Sequence, residues 1–197
     1  MPPVEPPRPG KAVECLSLVA FHGVATLAGA VLFLVLNRAL AKLGVEIMFY
    51  RGVIALAFVF VALLVLFWFA LRRAPAALGL SDRDSIGGAL VATSLLLAAF
   101  VLGPITVDRS ISVFMLTKFE QTGAPMTRDA ARDAFVGAYV DDWRQIDRRL
   151  HEQEVSGNLV QTPAGWELTA QGRAFLRVAR VMSAAFGGDP RFVGLDR

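Results

Sequence analysis

Residues able to move protons, hold metals or attack a carbonyl are few in this chain and widely spaced. The two histidines are His22 and His151, and the one cysteine is Cys15. A protein-bound zinc ion takes three or four ligands from a compact set of side chains, and two distant histidines do not supply one. Cys15 has no second cysteine to pair with. The Ala-Val-Glu before it is a poor lipoprotein cleavage site, so it reads as a small apolar residue at a helix start. Carboxylates occur mainly in mixed-charge stretches, which gives general acid or base catalysis no isolated pair to work with. Neither a glycine-rich phosphate loop nor a nucleophile elbow is present. No catalytic, cofactor-binding or metal-binding residue is therefore assigned, and the expectation is a non-enzymatic protein with no cofactor and no evident small-molecule substrate.

His22 is the one ionisable residue inside an apolar run, where polar groups are expensive and turn toward a bundle interior or a pathway. Two readings stay open: a hydrogen bond to a backbone carbonyl or to Thr26 one turn on, or a functional role with a partner subunit. Arg51, beside Tyr50, reads as a snorkelling interface residue or a lipid-phosphate contact.

The elements that must carry these residues are set by hydropathy. Of 197 residues, 55% are hydrophobic, above the 45–50% or so usual for soluble domains, and the long apolar runs all precede Asp108. After a proline-rich tail over 1–12, expected to be disordered, three spans are predicted in a membrane domain over 13–107. The first, about 15–36, is closed by Asn37-Arg38. The second, about 50–71, has Phe49, Tyr50 and Arg51 at one end and Trp68, Arg72 and Arg73 at the other, as an interface belt. The third, about 86–107, is capped by Asp84 or Ser85 and weakened near its end by Gly103-Pro104. Ala25 with Gly29, and Gly88 with Ala92, recur at the spacing of four that lets helix backbones approach in lipid. The second span, bulky throughout, is expected to face lipid.

Charge separates the two halves. Before Asp108 the basic residues outnumber the acidic by three, which is the whole net charge, and the twelve basic and twelve acidic residues that follow cancel. The tail thus has no cationic surplus to attract a polyanion. With three spans, five basic residues fall on each side of the membrane, and the positive-inside rule has nothing to decide. An excess of Arg over Lys and abundant Ala suggest a bacterial chain. Asp108 and Arg109 sit where membrane gives way to soluble chain, as a candidate surface hinge holding the tail close to the bilayer.

In the tail, Ile111, Phe114, Met115 and Phe119 fall on one helix face, expected to be buried from Ser110 to about Gln121. Thr127 can cap a second helix carrying Ala131, Phe135 and Tyr139, and Asp141-Asp142 a third carrying Trp143, Ile146 and Leu150. Gly157 stops that helix, NLVQTPAGWEL reads as a β-hairpin, and Thr169 opens a last helix with an apolar stripe of Phe175, Val178, Ala179, Met182 and Phe186. In this order of elements the stretch RRLHEQEVSGNLVQTPAGWELTAQGRAFL, from Arg148 to Leu176, resembles the winged-helix superfamily. Leu150, Gly157 and Leu159 match the end of its third helix, and Leu168, Thr169 and Gly172 match the start of its closing helix. The resemblance covers about Ser110 to Phe186, and implies a small α+β domain over 108–187 followed by a C-terminal tail over 188–197. The fold class is then mainly α: three transmembrane helices and a winged-helix-like domain.

The resemblance implies DNA binding as one outcome, with Arg144, Arg148 and Arg149 toward the groove or phosphates. Against it stand the neutral tail, a wing without Lys or Arg between Gln161 and Trp166, and the nearness of the last span. The arginines also lie within pairing distance of Asp147, Glu152 and Glu154. Trp166 is either a core filler or an exposed anchor for a protein or for headgroups. The expectation is an accessory or scaffolding subunit of a membrane complex. Its partners are membrane lipid and another membrane protein, with Arg144, Arg148, Arg149 and Trp166 as candidate partner-binding residues and nucleic acid disfavoured. The alternative is a membrane-tethered DNA-binding transcription regulator. The resemblance implies a cytoplasmic tail, and the location expected is the cell inner membrane, multi-pass.

Overall fold

A computed structural model describes residues 10–73 and 78–194. Residues 1–9 of the expected disordered tail, Ala74 to Ala77 of the turn after the second span, and residues 195–197 of the expected C-terminal tail lie outside the described residues. The chain is mainly helical, with one two-stranded antiparallel sheet among the described residues. It divides into two units, Met1–Ser110 and Ile111–Arg197.

The first unit contains three helices long and apolar enough to cross a membrane: α1, Lys11–Lys42; α2, Met48–Leu71; and α3, Asp82–Arg109. Helix α1 takes in Lys11 and Ala12, which the sequence assigns to the tail, and runs through Asn37-Arg38, which do not end it. The 32 residues of α1 make a rod about 48 Å long, well beyond a hydrocarbon layer of about 30 Å, so its ends lie outside the apolar slab. The Asn37 amide oxygen accepts from Arg51 Nε at 2.8 Å, joining α1 to the start of α2. Arg51 also donates to the Val45 carbonyl at 3.3 Å, so it faces its own chain.

Helix α3 starts a turn earlier than Asp84 or Ser85 would place it. The cap is Ser81, whose backbone N–H and hydroxyl both donate to the Asp84 carboxylate, at 2.6 and 2.9 Å. Ser85 is instead fully buried. Near the other end, Gly103-Pro104 does not break the helix. Residues Val101–Ile105 widen into a π turn that accommodates the missing proline N–H, and the Thr106 hydroxyl donates to the Val101 carbonyl at 2.8 Å, supplying hydrogen bonding that lipid could not.

Packing of the three helices corrects the expectation for the second span. Helix α2 does not turn away to lipid: Gly52, Ala55, Leu56, Val59, Leu63 and Phe67 are all buried. Spacings of three and four place them on one seam, and the seam meets sockets made by small residues. Ala25 and Gly29 of α1, and Gly88, Ala89 and Ala92 of α3, are buried against it or against each other. A Cβ at Gly29 would lie 3.1 Å from both Leu63 and Leu96, and one at Gly88 would lie 2.5 Å from the Phe21 ring. The Phe100 ring occupies the place of a side chain on Gly52. Two edge-to-face aromatic pairs, Phe21 with Phe67 at 4.8 Å and Phe33 with Phe100 at 5.3 Å, close the seam. At the α2 end, the Arg72 guanidinium stacks 4.3 Å above Trp68 and lies 3.6 Å from Asp82.

The second unit comprises α4 (Ile111–Thr122), α5 (Arg128–Ala134) continuing as a π-helical stretch over Phe135–Asp142, α6 (Gln145–Val155), strands β1 (Leu159–Thr162) and β2 (Gly165–Leu168), α7 (Ala170–Phe186) and a 3-10 turn over Pro190–Val193. The turn falls inside the stretch read from sequence as the C-terminal tail. Thr127 caps α5 by accepting from Ala130 N–H at 3.2 Å, and Thr169 caps α7 by accepting from Gly172 N–H at 3.0 Å. Gly157, at φ +71, ends α6. The hairpin pairs Leu159 with Leu168 and Gln161 with Trp166. Gly172 lets α7 approach the hairpin, since a Cβ there would meet the Asn158 carbonyl oxygen at 2.3 Å.

The core of this unit is an aromatic cluster. Phe114 is its one buried hydrophobic side chain among the described residues, ringed edge-on by Phe135, Tyr139 and Trp143 at 5.0–6.1 Å. Lys118 sits 5.6 Å from the Phe114 ring. The face expected to be buried on α4 is covered only in its middle, with Ile111 and Phe119 exposed.

Candidate functional site

The start of α6 is where the tail unit departs most from ordinary backbone and packing. Asp141-Asp142 do not cap this helix, because the π-helical stretch carries through both of them and ends at Trp143. Arg144 makes the corner instead, at φ 49 and ψ 44, and it is the one non-glycine residue with positive φ among those described. A β-carbon in this region costs about 1–3 kcal/mol and persists only where its surroundings hold it. Ile146 is 57% exposed on one side of the corner, and on the other Trp143, whose ring rests edge-on against Phe114, still leaves 53% of its surface exposed. Gln145 Oε1 is buried without a hydrogen-bond partner.

The candidate arginines beyond that corner are neutralised within their own helix. Arg144 Nε lies 2.7 Å from Asp147. Arg148 and Arg149 converge on Glu152, at 3.2 and 2.7 Å, one on each carboxylate oxygen. The Glu152 side chain is 8% exposed, so it is a nearly buried anion held by two cations from the preceding turn. Three and four residues of separation bring these groups onto one helix face. Among the described residues no salt bridge joins Glu154 to these arginines.

Trp166 lies across the hairpin from Gln161 and is half-buried. His22 Nδ1 is 2.8 Å from the Leu18 carbonyl, and the Thr26 hydroxyl donates to the His22 carbonyl at 2.8 Å. The histidine ring thus has a backbone partner one turn back, while Thr26 meets its carbonyl rather than its ring. Asp108 and Arg109 fall in the last turn of α3, and both are engaged in interactions. The structure gathers Arg144, Arg148 and Arg149 on α6; Trp166 lies on the hairpin and His22 in the first unit.

Of the three carboxylates within pairing distance in the sequence, Asp147 takes Arg144 and Glu152 takes both Arg148 and Arg149. The corner at Arg144 has no signal in the sequence, because Trp-Arg-Gln carries no glycine to mark a left-handed position. The stripe on α7 is real but is not covered: Phe175, Val178, Met182 and Phe186 are 52–80% exposed.

Comparison with protein-family models, with curated proteins and with solved structures finds no match to this chain.

Proposed function

We propose that this protein is an accessory or scaffolding subunit of a membrane complex. Its three spans anchor it, and its tail, a winged-helix-like module, binds another membrane protein. The order of elements in the tail, three helical segments, a hairpin and a closing helix, supports the winged-helix reading. One observation carries the protein-binding reading: the corner at the start of α6, where exposed Trp143 and Ile146 flank a left-handed Arg144. Tryptophan and arginine are the residue types that most often anchor protein interfaces. The arginines on this helix already have carboxylate partners, which favours a protein surface over a polyphosphate backbone. The reading places the protein in the inner membrane with the tail in the cytoplasm.

A photo-crosslinking residue in place of Ile146, in the full chain in native membranes, tests this. A single adduct of fixed mass, lost in Trp143→Ala and in Arg144→Glu, is expected. Absence of any adduct, with a monodisperse lone monomer in mild detergent, overturns the reading.

A further inference from the structure

Helix α7 has two faces of different fates. Gly172 is buried against the Asn158 carbonyl, with Leu176, Ala179 and Ser183 partly covered along the same side. Phe175, Val178, Val181, Met182 and Phe186 follow one another along the side that nothing in the tail unit covers, at 58%, 61%, 68%, 52% and 80% exposure. Phe192, in the 3-10 turn beyond the helix, adds another apolar ring at 89%. A contiguous apolar surface of this kind on a folded unit marks a contact with something apolar.

The charges on the same helix say what. Arg173, Arg177 and Arg180 recur at spacings of four and three on the side away from the apolar stripe, and Ala170–Phe186 contains no acidic residue. None of the three pairs with a carboxylate among the described residues. Arg173 donates to the Leu168 carbonyl at 2.8 Å and Arg180 to the Val193 carbonyl at 3.1 Å, contacts that orient the guanidinium groups and leave their charge in place. The arginines of α6 differ in this respect, since each has a carboxylate. An apolar stripe backed by unneutralised arginines is the pattern of helices that lie in the headgroup region of an anionic bilayer. A second copy fits less well: two such helices packed stripe to stripe would cover the apolar residues but leave the arginines on their outer sides, with no acidic residue on either helix to meet them. The chain's own spans tether a lipid surface to this helix at high effective concentration.

We propose that α7 docks on the bilayer through Phe175, Val178, Val181, Met182 and Phe186, with Arg173, Arg177 and Arg180 reaching the phosphates of anionic lipids. This rests on the membrane spans and is independent of the α6 corner as a protein-binding site.

The test uses the full chain with Cys15→Ser and Met182→Cys carrying an environment-sensitive fluorophore, at one chain per nanodisc. Discs are made of phosphatidylcholine with or without phosphatidylglycerol. In anionic discs the emission shifts to the blue and is quenched by a nitroxide placed shallowly on the acyl chains, whereas a probe at Gln161→Cys stays in water. Each arginine changed to glutamine lowers the docked-to-free ratio about fivefold, and all three together roughly a hundredfold. Circular dichroism and a second probe at Val178→Cys confirm that α7 is intact in these variants. Four results overturn the proposal: a water-like spectrum in anionic discs, burial without nitroxide quenching, burial only at two chains per disc, or docking unchanged by the triple variant or by leaving out phosphatidylglycerol.

Discussion

Replacing Gly52 by alanine tests whether the three spans are held together by side chains seated on glycine. A Cβ added at Gly52 would lie 2.0 Å from Phe100 Cε1 and 2.1 Å from Cζ. Carbon atoms in ordinary contact sit about 3.5–4.0 Å apart, so the ring would have to retreat by about 1.5 Å. It has little room, being 3% exposed and packed edge-on against Phe33 at 5.3 Å. Overpacking of this kind costs about 1–3 kcal/mol, and the upper half of that range is expected because the alanine has to displace a ring shared with α1. The assay is reversible unfolding of the full chain in mixed micelles, following helix content against the mole fraction of denaturing detergent.

Phe100→Leu should cost about 1–3 kcal/mol by itself through lost contacts. Combined with Gly52→Ala it should cost less than the two single losses together, because the shorter side chain vacates the space the new methyl needs. Residues in contact show coupling of about 0.5–3 kcal/mol. A neutral Gly52→Ala, or a strictly additive pair, would refute the account of Gly52 as the socket for Phe100.

Two further perturbations address the tail. Glu152→Gln removes the anion shared by Arg148 and Arg149, and since those side chains are 40% and 29% exposed the loss is about 1–3 kcal/mol, below that of a fully buried pair. Faster limited proteolysis within α6 in the full chain checks it, and unchanged cleavage would show that the ion cluster holds nothing. Asp189 caps the 3-10 turn, accepting from the backbone N–H and Nε of Arg191, each at 3.0 Å. These bonds hold its pKa below the ordinary aspartate value, the Arg191 side chain contributing most. A depressed folded-state pKa means that the turn's stabilisation is complete above the unfolded-state pKa and is lost as pH falls through the folded one. The amide resonance of Arg191 should therefore titrate with a midpoint below that of an unstructured aspartate and stop titrating in Asp189→Asn; an ordinary midpoint would contradict the capping geometry.

How much of this was legible in the sequence depended on whether the signal was local. The three spans follow from apolar length, and the caps at Thr127 and Thr169 from a hydroxyl before a helical pattern, since each needs only neighbours in the chain. Bulky side chains along α2 are not a lipid-facing sign, since six residues of that helix are buried in the seam. In lipid, a large side chain is equally a knob wherever another helix offers a glycine, and that complementarity exists only between helices. A sequence trace of it was present in the spacing of Gly52, Leu56, Val59, Leu63 and Phe67. The start of α3 was placed too late because Ser81 and Asp84, a capping pair at the required separation of three, lay in what looked like loop. Trp143, Ile146 and Leu150 share a helical spacing in the sequence, but Trp143 ends the π-helical stretch and Ile146 opens out beyond the corner, because that stretch shifts the phase that periodicity assumes.

The same shift bears on what the tail unit needs from its surroundings. A small domain is stabilised chiefly by the apolar surface it removes from water, and here Phe114 is the only hydrophobic side chain fully withdrawn among the described residues of that unit. The apolar groups a self-sufficient domain would fold inward are instead displayed in two places, Trp143 and Ile146 at the α6 corner and the long stripe on α7. Their electrostatic settings differ: the α6 arginines are matched to carboxylates, whereas those of α7 have no carboxylate partner among the described residues. A matched surface gains little from a polyanion and relies on shape and apolar contact, while an unmatched one gains from every phosphate it meets. Under the two proposals made above, occupants of different chemistry, a protein at the corner and lipid along the stripe, would use both surfaces without competing for either.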